Sequence, residues 1–542
     1  MMAKRQSTLI GQLLVEAGVI TPQQLEYALG EQKKHQGELL GAVMVRLGLA
    51  SEEKLIPLLA KQIGISYISL KDQRIDPAVI SVVPARLATQ YRILPILREG
   101  KTLLVGMVNP LDTKVLDEVR MLVHCSIRPV LVNPQELSEA IRQYYGLGAD
   151  TVEAMVATAE LPSTAELSEA VEDLDKIGGT ASTIKFVNQL LLEAVRDGAT
   201  DVHLEPYETQ MVVRYRIDGI LYDMPVPPGL RRFYSGIISR VKVMANLNVA
   251  EHRLPQDGRA KVKVGGRDLD LRISVLPTPY GEAVMIRLLS TNVFLGLEQL
   301  GLLEDHRATL EKFLVKPHGI VFVSGPTGSG KTTTLYACLA RMNDRKRKII
   351  TIEDPVEYLM PGVSQMQVHP KIEFTFAAAL RAILRHDPDV IMVGEVRDFE
   401  TAETAIRTAL TGHLVFSTLH TNDAGGCVTR LLDMGIEPYL VASSMECAIA
   451  QRLVRLVCAG CHGAGCRGCR QTGYKGRTAI SEFLLLDEEI RQLILRRVSA
   501  GEIMKLARSK GMRTLREDGL EKVKQGLTTM DEVMRVTQME SA

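Results

Sequence analysis

Hydrophobic positions change their spacing several times along the chain, and each spacing predicts a different architecture. Near the start, Gly11, Val15, Gly18, Leu25, Leu29 and Gln32 recur thirty residues later as Gly41, Val45, Gly48, Leu55, Leu59 and Gln62, which marks a duplicated supersecondary unit. Each copy reads as helix, break, helix. Gly18 and Gly48 suit the left-handed position that ends a helix. Thr21-Pro22-Gln23-Gln24 supplies an N-cap, a first-turn proline and a capping-box glutamine. Ser51-Glu52-Glu53 restarts the second copy with acids at the positive end of the helix dipole. Residues 1–66 are thus predicted as a helical-repeat module.

Residues 67–147 mix short β-like runs with helical ones and predict a small α+β domain. Leu103 to Val108 reads as a strand, Asn109-Pro110-Leu111-Asp112 as a turn, and helix follows from Thr113. Every charged residue from Asp150 to Asp175 is acidic and large apolar groups are scarce, so 148–182 reads as an acidic flexible linker. From Thr183, Ile184, Val187, Leu190, Leu191 and Ala194 share one helical face, and Gly198 stops it. Alternating hairpins then turn at Asp218-Gly219 and Gly265-Gly266, giving a second α+β domain over 183–290. Beyond Gly319 the runs become continuously apolar: 320–323, 349–352, 390–393 and 414–416. Strands apolar on both faces belong to a buried parallel sheet. An α/β domain is predicted over 291–457 and a helical region over 470–542.

Length and composition narrow the class. The 542 residues suggest several domains, and 46% hydrophobic with 24% charged residues is an ordinary globular balance. The net charge of +1, the absence of Trp and 4% aromatics give no electrostatic or stacking case for nucleic acid. No apolar run approaches the ~18 residues that span a bilayer, and Glu16 and Gln12 interrupt the N-terminal one. The expectation is a cytoplasmic chain whose membrane association, if any, goes through a partner or a surface.

The chemistry is concentrated in one loop. Gly325-Pro326-Thr327-Gly328-Ser329-Gly330-Lys331-Thr332 fits G-x-x-x-x-G-K-[ST], follows an apolar strand and opens a helical run at Thr333. Strand, loop and helix in this order make a phosphate cradle from backbone amides and a helix N-terminus. These nine residues form the candidate nucleotide-binding set. Lys331 is expected to reach the β- and γ-phosphates of ATP, and Thr332 to ligate Mg²⁺. Glu395 ends another buried strand at the sheet edge where ligands bind, and can orient the attacking water. Gly394 stands where an acidic metal contact is usual. Glu353, in Glu353-Asp354-Pro355-Val356-Glu357, is a candidate for Mg²⁺ or water. His413 and His420 flank a fourth strand as candidate reporters of hydrolysis.

Of the eight cysteines, Cys458, Cys461, Cys466 and Cys469 form two C-x-x-C knuckles, a spacing that predicts a closed structural Zn²⁺ site over 458–469. His462 is a possible substitute ligand. Cys125, Cys338, Cys427 and Cys447 read as buried thiols.

From residue 183 onward these motifs, with RIDG (216–219), RLPQDGR (253–259), GPTGSGKTTTLY (325–336), EDPVEY (353–358), LRAILRHDPDVIMVGEVRD (380–398), LTGHLVFSTLHTNDA (410–424), GYKGRTAISE (473–482) and MRTLREDGLEKVKQG (512–526), resemble the type II secretion and type IV pilus assembly ATPases. The resemblance implies an α/β chain with a RecA-like P-loop ATPase domain, acting as a homo-hexamer on inner-membrane platform and docking proteins. It implies that arginines approach the phosphates, here Arg272 and Arg287 in the N-terminal half and Arg381, Arg385 and Arg397 in the RecA-like half. Relatives often carry a longer insert between the two cysteine pairs. The N-terminal repeat resembles the family's cyclic di-GMP module, yet Leu9 and Leu39 occupy the positions of its basic residues. A cyclic di-GMP site and a helical adaptor both stay open. The function implied is an Mg-ATP-hydrolysing motor for pilus or pseudopilus assembly. A nucleotide-gated scaffold with little turnover and a retraction or conjugation ATPase are the rivals.

Overall fold

The computed structural model describes residues 10–34, 40–50, 52–71, 73–146, 148, 151, 172–173, 182–227, 229–290 and 296–537. They form two compact units, residues 1–217 with 221–288, and residues 218–220 with 289–542. Leu9, Leu39 and most of the expected acidic linker lie outside the described residues.

In the first unit, four helices (Ile10–Glu16, Pro22–Lys34, Leu40–Arg46 and Glu52–Ile63) lie along the repeated segment. A Cβ on Gly11 would stand 2.6 Å from Leu25, and one on Gly41 3.2 Å from Leu55, so the repeated glycine–leucine pairs are helix contacts. Thr21 and Gln24 form the reciprocal cap, with N–H donors at 2.8 and 3.2 Å. Strands β1 (Ile93–Glu99), β2 (Thr102–Met107) and β3 (Ser126–Leu131) follow, β1–β2 antiparallel and β2–β3 parallel. The sheet of the next domain contains β4 (Glu172–Asp173), β5 (Ala199–Pro206), β6 (Met211–Ile217), β7 (Ile220–Met224), β8 (Gln256–Val264), β9 (Arg267–Thr278) and β10 (Gly281–Ser290). Its order is β4-β8-β9-β10-β5-β6-β7. The strand β4 falls inside the expected linker, where Glu172 and Asp173 pair in parallel with Val262 and Lys263. Helices Ser182–Arg196 and Tyr234–Met244 bury Phe186, Leu190 and Ile237 against this sheet.

The second unit is built on β11 (Gly319–Ser324), β12 (Ile349–Glu353), β13 (Ser364–Gln367), β14 (Val390–Val393), β15 (Leu414–Leu419), β16 (Met445–Val457) and β17 (Tyr474–Leu485). The order is β13-β12-β14-β15-β11-β16-β17, parallel except for β17. Ile320 and Phe322 face one core while Val321 and Val323 face the other. Helices cover both faces, which is why these strands read as unbroken apolar runs. Each fully buried side chain of this kind contributes about 1.5–3 kcal/mol.

The C-terminal region departs from the helical expectation. Helices Glu488–Leu495, Ala500–Ser509, Leu515–Lys524 and Met530–Thr537 are present, but twelve residues before them form β17. A boundary at 457 therefore cuts a hairpin between its two strands. Glu482 of β17, 1% exposed, accepts from the backbone N–H of Ala424 at 2.8 Å and of Leu515 at 3.2 Å. One carboxylate thus serves the starts of two helices, Gly425–Asp433 and Leu515–Lys524. Glu482→Ala leaves both buried donors without it, a cost of about 2–4 kcal/mol. Calorimetry on the full chain is expected to show the second unit melting roughly 5 °C lower or more. A shift below one degree would refute the role.

Candidate phosphate-binding site

The loop leaves β11 at Ser324 and enters the helix Lys331–Met342. Gly325, Gly328 and Gly330 have φ of 147°, 80° and 88°, values open to glycine. Space is short as well. A Cβ on Gly325 would lie 2.5 Å from the Gln451 carbonyl oxygen, and one on Gly330 2.7 Å from Gln451 Nε2. Lys331 is 8% exposed, and its ammonium donates to the carbonyls of Gly325 at 2.7 Å and Pro326 at 3.1 Å. Burial pulls its pKa down to about 8, against the attraction of Glu395 and with a smaller push from Arg452. Thr332 is exposed on the first turn of the helix, where a hydroxyl is a suitable oxygen donor for Mg²⁺.

Glu395 follows β14 at the same sheet edge. Gly394 N–H bonds to Ile352 O at 2.8 Å, and Val396 N–H to Thr418 O at 3.0 Å. Both flanking peptides are therefore fixed. The Glu395 carboxylate meets Arg397 at 2.5 Å and His420 Nε2 at 3.4 Å. Gly394 is confined, since a Cβ there would stand 3.3 Å from the Glu353 backbone. Lys331, Glu395, Arg397 and His420 are thus gathered at this edge.

Other candidates lie elsewhere. Glu353, 3% exposed, accepts from Tyr336 Oη at 2.5 Å, Thr351 Oγ1 at 2.6 Å and Gln365 Nε2 at 3.2 Å. Burial raises its pKa despite these donors. Tyr336 belongs to the loop's helix, so the carboxylate ties that helix to β12. His413 precedes β15 and His420 follows it, so six residues, about 20 Å of strand, separate the two. His413 Nδ1 contacts Thr408 O at 3.1 Å, away from the loop's edge. Arg381 pairs with Glu400 at 2.6 Å in an exposed contact, and Arg385 donates to the Arg381 carbonyl at 3.0 Å. Arg272 and Arg287 belong to the first unit, on β9 and β10, where Arg287 is held by Asp201 at 2.8 Å.

Two residues at the loop escaped the sequence reading. Gln451 bonds the loop directly, and Arg452 donates to Gln451 O at 3.1 Å and Asn422 O at 2.9 Å. Their signal was the apolar run Ala448-Ile449-Ala450 ending in Gln-Arg, the form of one more strand reaching the ligand edge.

The four knuckle thiols lie within 4.8 Å of one another, and among the described residues His462 is outside this group. Cys458–Cys466 and Cys461–Cys469 sulfur separations are 3.8 and 3.6 Å. A tetrahedron with metal–sulfur bonds of about 2.3 Å has edges of about 3.8 Å, so the donor set fits zinc. Burial pushes the Cys469 thiol up, but N–H groups of Cys466 and Gly473 aimed at Sγ outweigh it and bring it to about 6. Desolvation and the Cys469 contact push Cys461 up to about 11.

Among the described residues no helix is long and apolar enough to cross a membrane. The family described as type II/IV secretion system protein matches residues 177–535, and the MshEN domain matches 63–151, the α+β segment after the helical repeat. The type IV pilus assembly ATPase PilB of Myxococcus xanthus is 41% identical, covering 97% of this chain and 98% of its own. The type II secretion system protein HxcR of Pseudomonas aeruginosa is 45% identical, covering 84% and 99%. The ATPase DotB of Legionella pneumophila shares the fold, with a TM-score of 0.52 at 23% identity over 68% of this chain and 99% of that one. Loop, edge carboxylate and these likenesses agree: the chain belongs to the type II/IV secretion system protein family, the family of the secretion and pilus assembly ATPases.

Proposed function

We propose that this ATPase is a homo-hexameric motor whose cycle drives pilus or pseudopilus assembly through inner-membrane platform and docking proteins. The observation that carries the reading is the buried Lys331 ammonium within a loop of backbone amides, with the Glu395 carboxylate on the same edge. Residues 325–333 hold the triphosphate, and the Lys331 ammonium moves from the Gly325 and Pro326 carbonyls to the phosphates. Thr332 would hold Mg²⁺, which when bound neutralises phosphate charge. Glu395 accepts a hydrogen bond from water and aims it at the γ-phosphate, with Arg397 and His420 fixing the carboxylate. The resemblance gives Arg272 and Arg287 the stabilising of charge on a transferring phosphoryl group. Glu353 acts by holding the loop's helix, and His413, at the far end of β15, stands outside the phosphate site. The carboxylate at Glu395 favours a hydrolysing enzyme over a scaffold with little turnover.

The four cysteines would hold Zn²⁺ as a closed structural site. The N-terminal repeat docks on a membrane-bound partner or takes cyclic di-GMP, readings that calorimetry with the dinucleotide separates.

Lys331→Ala is expected to lose ATP binding, and Glu395→Gln to bind normally while turnover falls at least 100-fold, as seen by phosphate release. Ordinary turnover in Glu395→Gln would dismiss its role. Lys331 loses its charge as pH rises through about 8, so affinity for a fluorescent ATP analogue should weaken several-fold from pH 7 to pH 9. Glu395→Gln removes the charge that raises the Lys331 pKa, so its midpoint should move to lower pH. An unmoved midpoint contradicts this coupling. Elemental analysis should find about one zinc per chain, and chelation should lower the melting midpoint. A folded, active, metal-free preparation would exclude the zinc.

A further inference from the structure

We propose that Gln451 is a positioning residue for the phosphate loop, an inference that rests on the nucleotide-binding reading above. Strand β16 runs parallel to β11 with Ser324 opposite Ala450, so Gln451 arrives beside the loop just as the chain leaves the sheet. Its side chain is 2% exposed and both ends of the carboxamide are engaged. Nε2 donates to the Ser329 carbonyl at 2.8 Å, and Oε1 accepts from Thr334 Oγ1 at 2.7 Å. The Ser329 carbonyl can only accept, which fixes the orientation of the amide.

The geometry has a direct effect on the cradle. A trans peptide holds its C=O and N–H in opposite directions. Drawing the Ser329 carbonyl toward β16 therefore turns the Gly330 N–H away from β16. The bond to Thr334 anchors the same carboxamide on the loop's helix, so loop and helix are held to one reference point. The Gln451 backbone carbonyl oxygen packs where a Cβ on residue 325 would sit, at 2.5 Å. The reference itself is stiff: β16 pairs with β17 from Cys447–Leu485 through Arg455–Arg477, with Gln451 opposite Ser481. Gln451 touches no reacting atom, and its contribution is the direction of a loop amide.

The test compares Gln451→Ala, Gln451→Glu and Lys331→Ala in the full chain, using a fluorescent ATP analogue and steady-state hydrolysis. Gln451→Ala is expected to raise KM for ATP at least 10-fold while kcat changes less than 3-fold. Gln451→Glu sets a carboxylate against the Ser329 carbonyl, two acceptors face to face, and binds at least as weakly at pH 7.5. Burial opposite a carbonyl oxygen raises the introduced acid above the ordinary carboxylate range, so at pH 6 its protonated fraction donates as the amide did and its affinity relative to wild type recovers several-fold, whereas Gln451→Ala stays weak at both values. That pH-dependent rescue distinguishes positioning from general loss of packing. Both Gln451 variants binding like wild type, or Gln451→Glu following Gln451→Ala across pH, overturns the proposal. If Lys331→Ala alone loses binding, the phosphate-loop reading stands and the Gln451 role fails. If Lys331→Ala binds like wild type, both fail.

Discussion

A lysine ammonium kept out of water inside a loop of its own carbonyls is the constraint on which the second unit is organised. Burying such a charge is costly unless hydrogen-bond acceptors and opposite charges compensate. Here two loop carbonyls accept from it and Glu395 attracts it from the end of β14, two strands away in the sheet. The arrangement requires the loop, the end of β14 and the start of the loop's helix to meet at one edge of one sheet. A parallel sheet does this without further devices, because all its strands deliver their following loops to the same side.

The rest of the unit keeps that edge in place. The two cores on either face of the sheet hold the strands in register. Glu353 joins β12 to the loop's helix through Tyr336, and Glu482 joins β17 to the starts of two helices. Both carboxylates are almost fully buried and both act through hydrogen bonds rather than exposed charge.

Much of this was legible in the sequence, for identifiable reasons. The four apolar runs became β11, β12, β14 and β15 because both faces are covered. The phosphate loop was legible because its glycines are demanded by backbone angle and by lack of space. The strand β17 was missed because its first four residues alternate between half-buried and exposed positions and carry Gly476, while continuous burial begins only at Thr478 and runs to Leu484. The positions of His413 and His420 at opposite ends of β15 depend on strand direction, which spacing alone does not convey. Gln451 is far from the loop in sequence, and only the pairing of β11 with β16 brings them together.

The cysteine knuckle occupies the connection between β16 and β17, the outer turn of a long ribbon. Here Cys461 and Cys466 are separated by four residues, His462 to Gly465, where His462, Gly463 and Gly465 take positive φ. Adding or removing residues at such a tip projects outward and leaves the cross-strand partners from Cys447 to Arg455 unshifted. The length of this spacer is therefore decoupled from the nucleotide cradle: residues at the ribbon's tip can change in number while Gln451 keeps its place opposite Ser481.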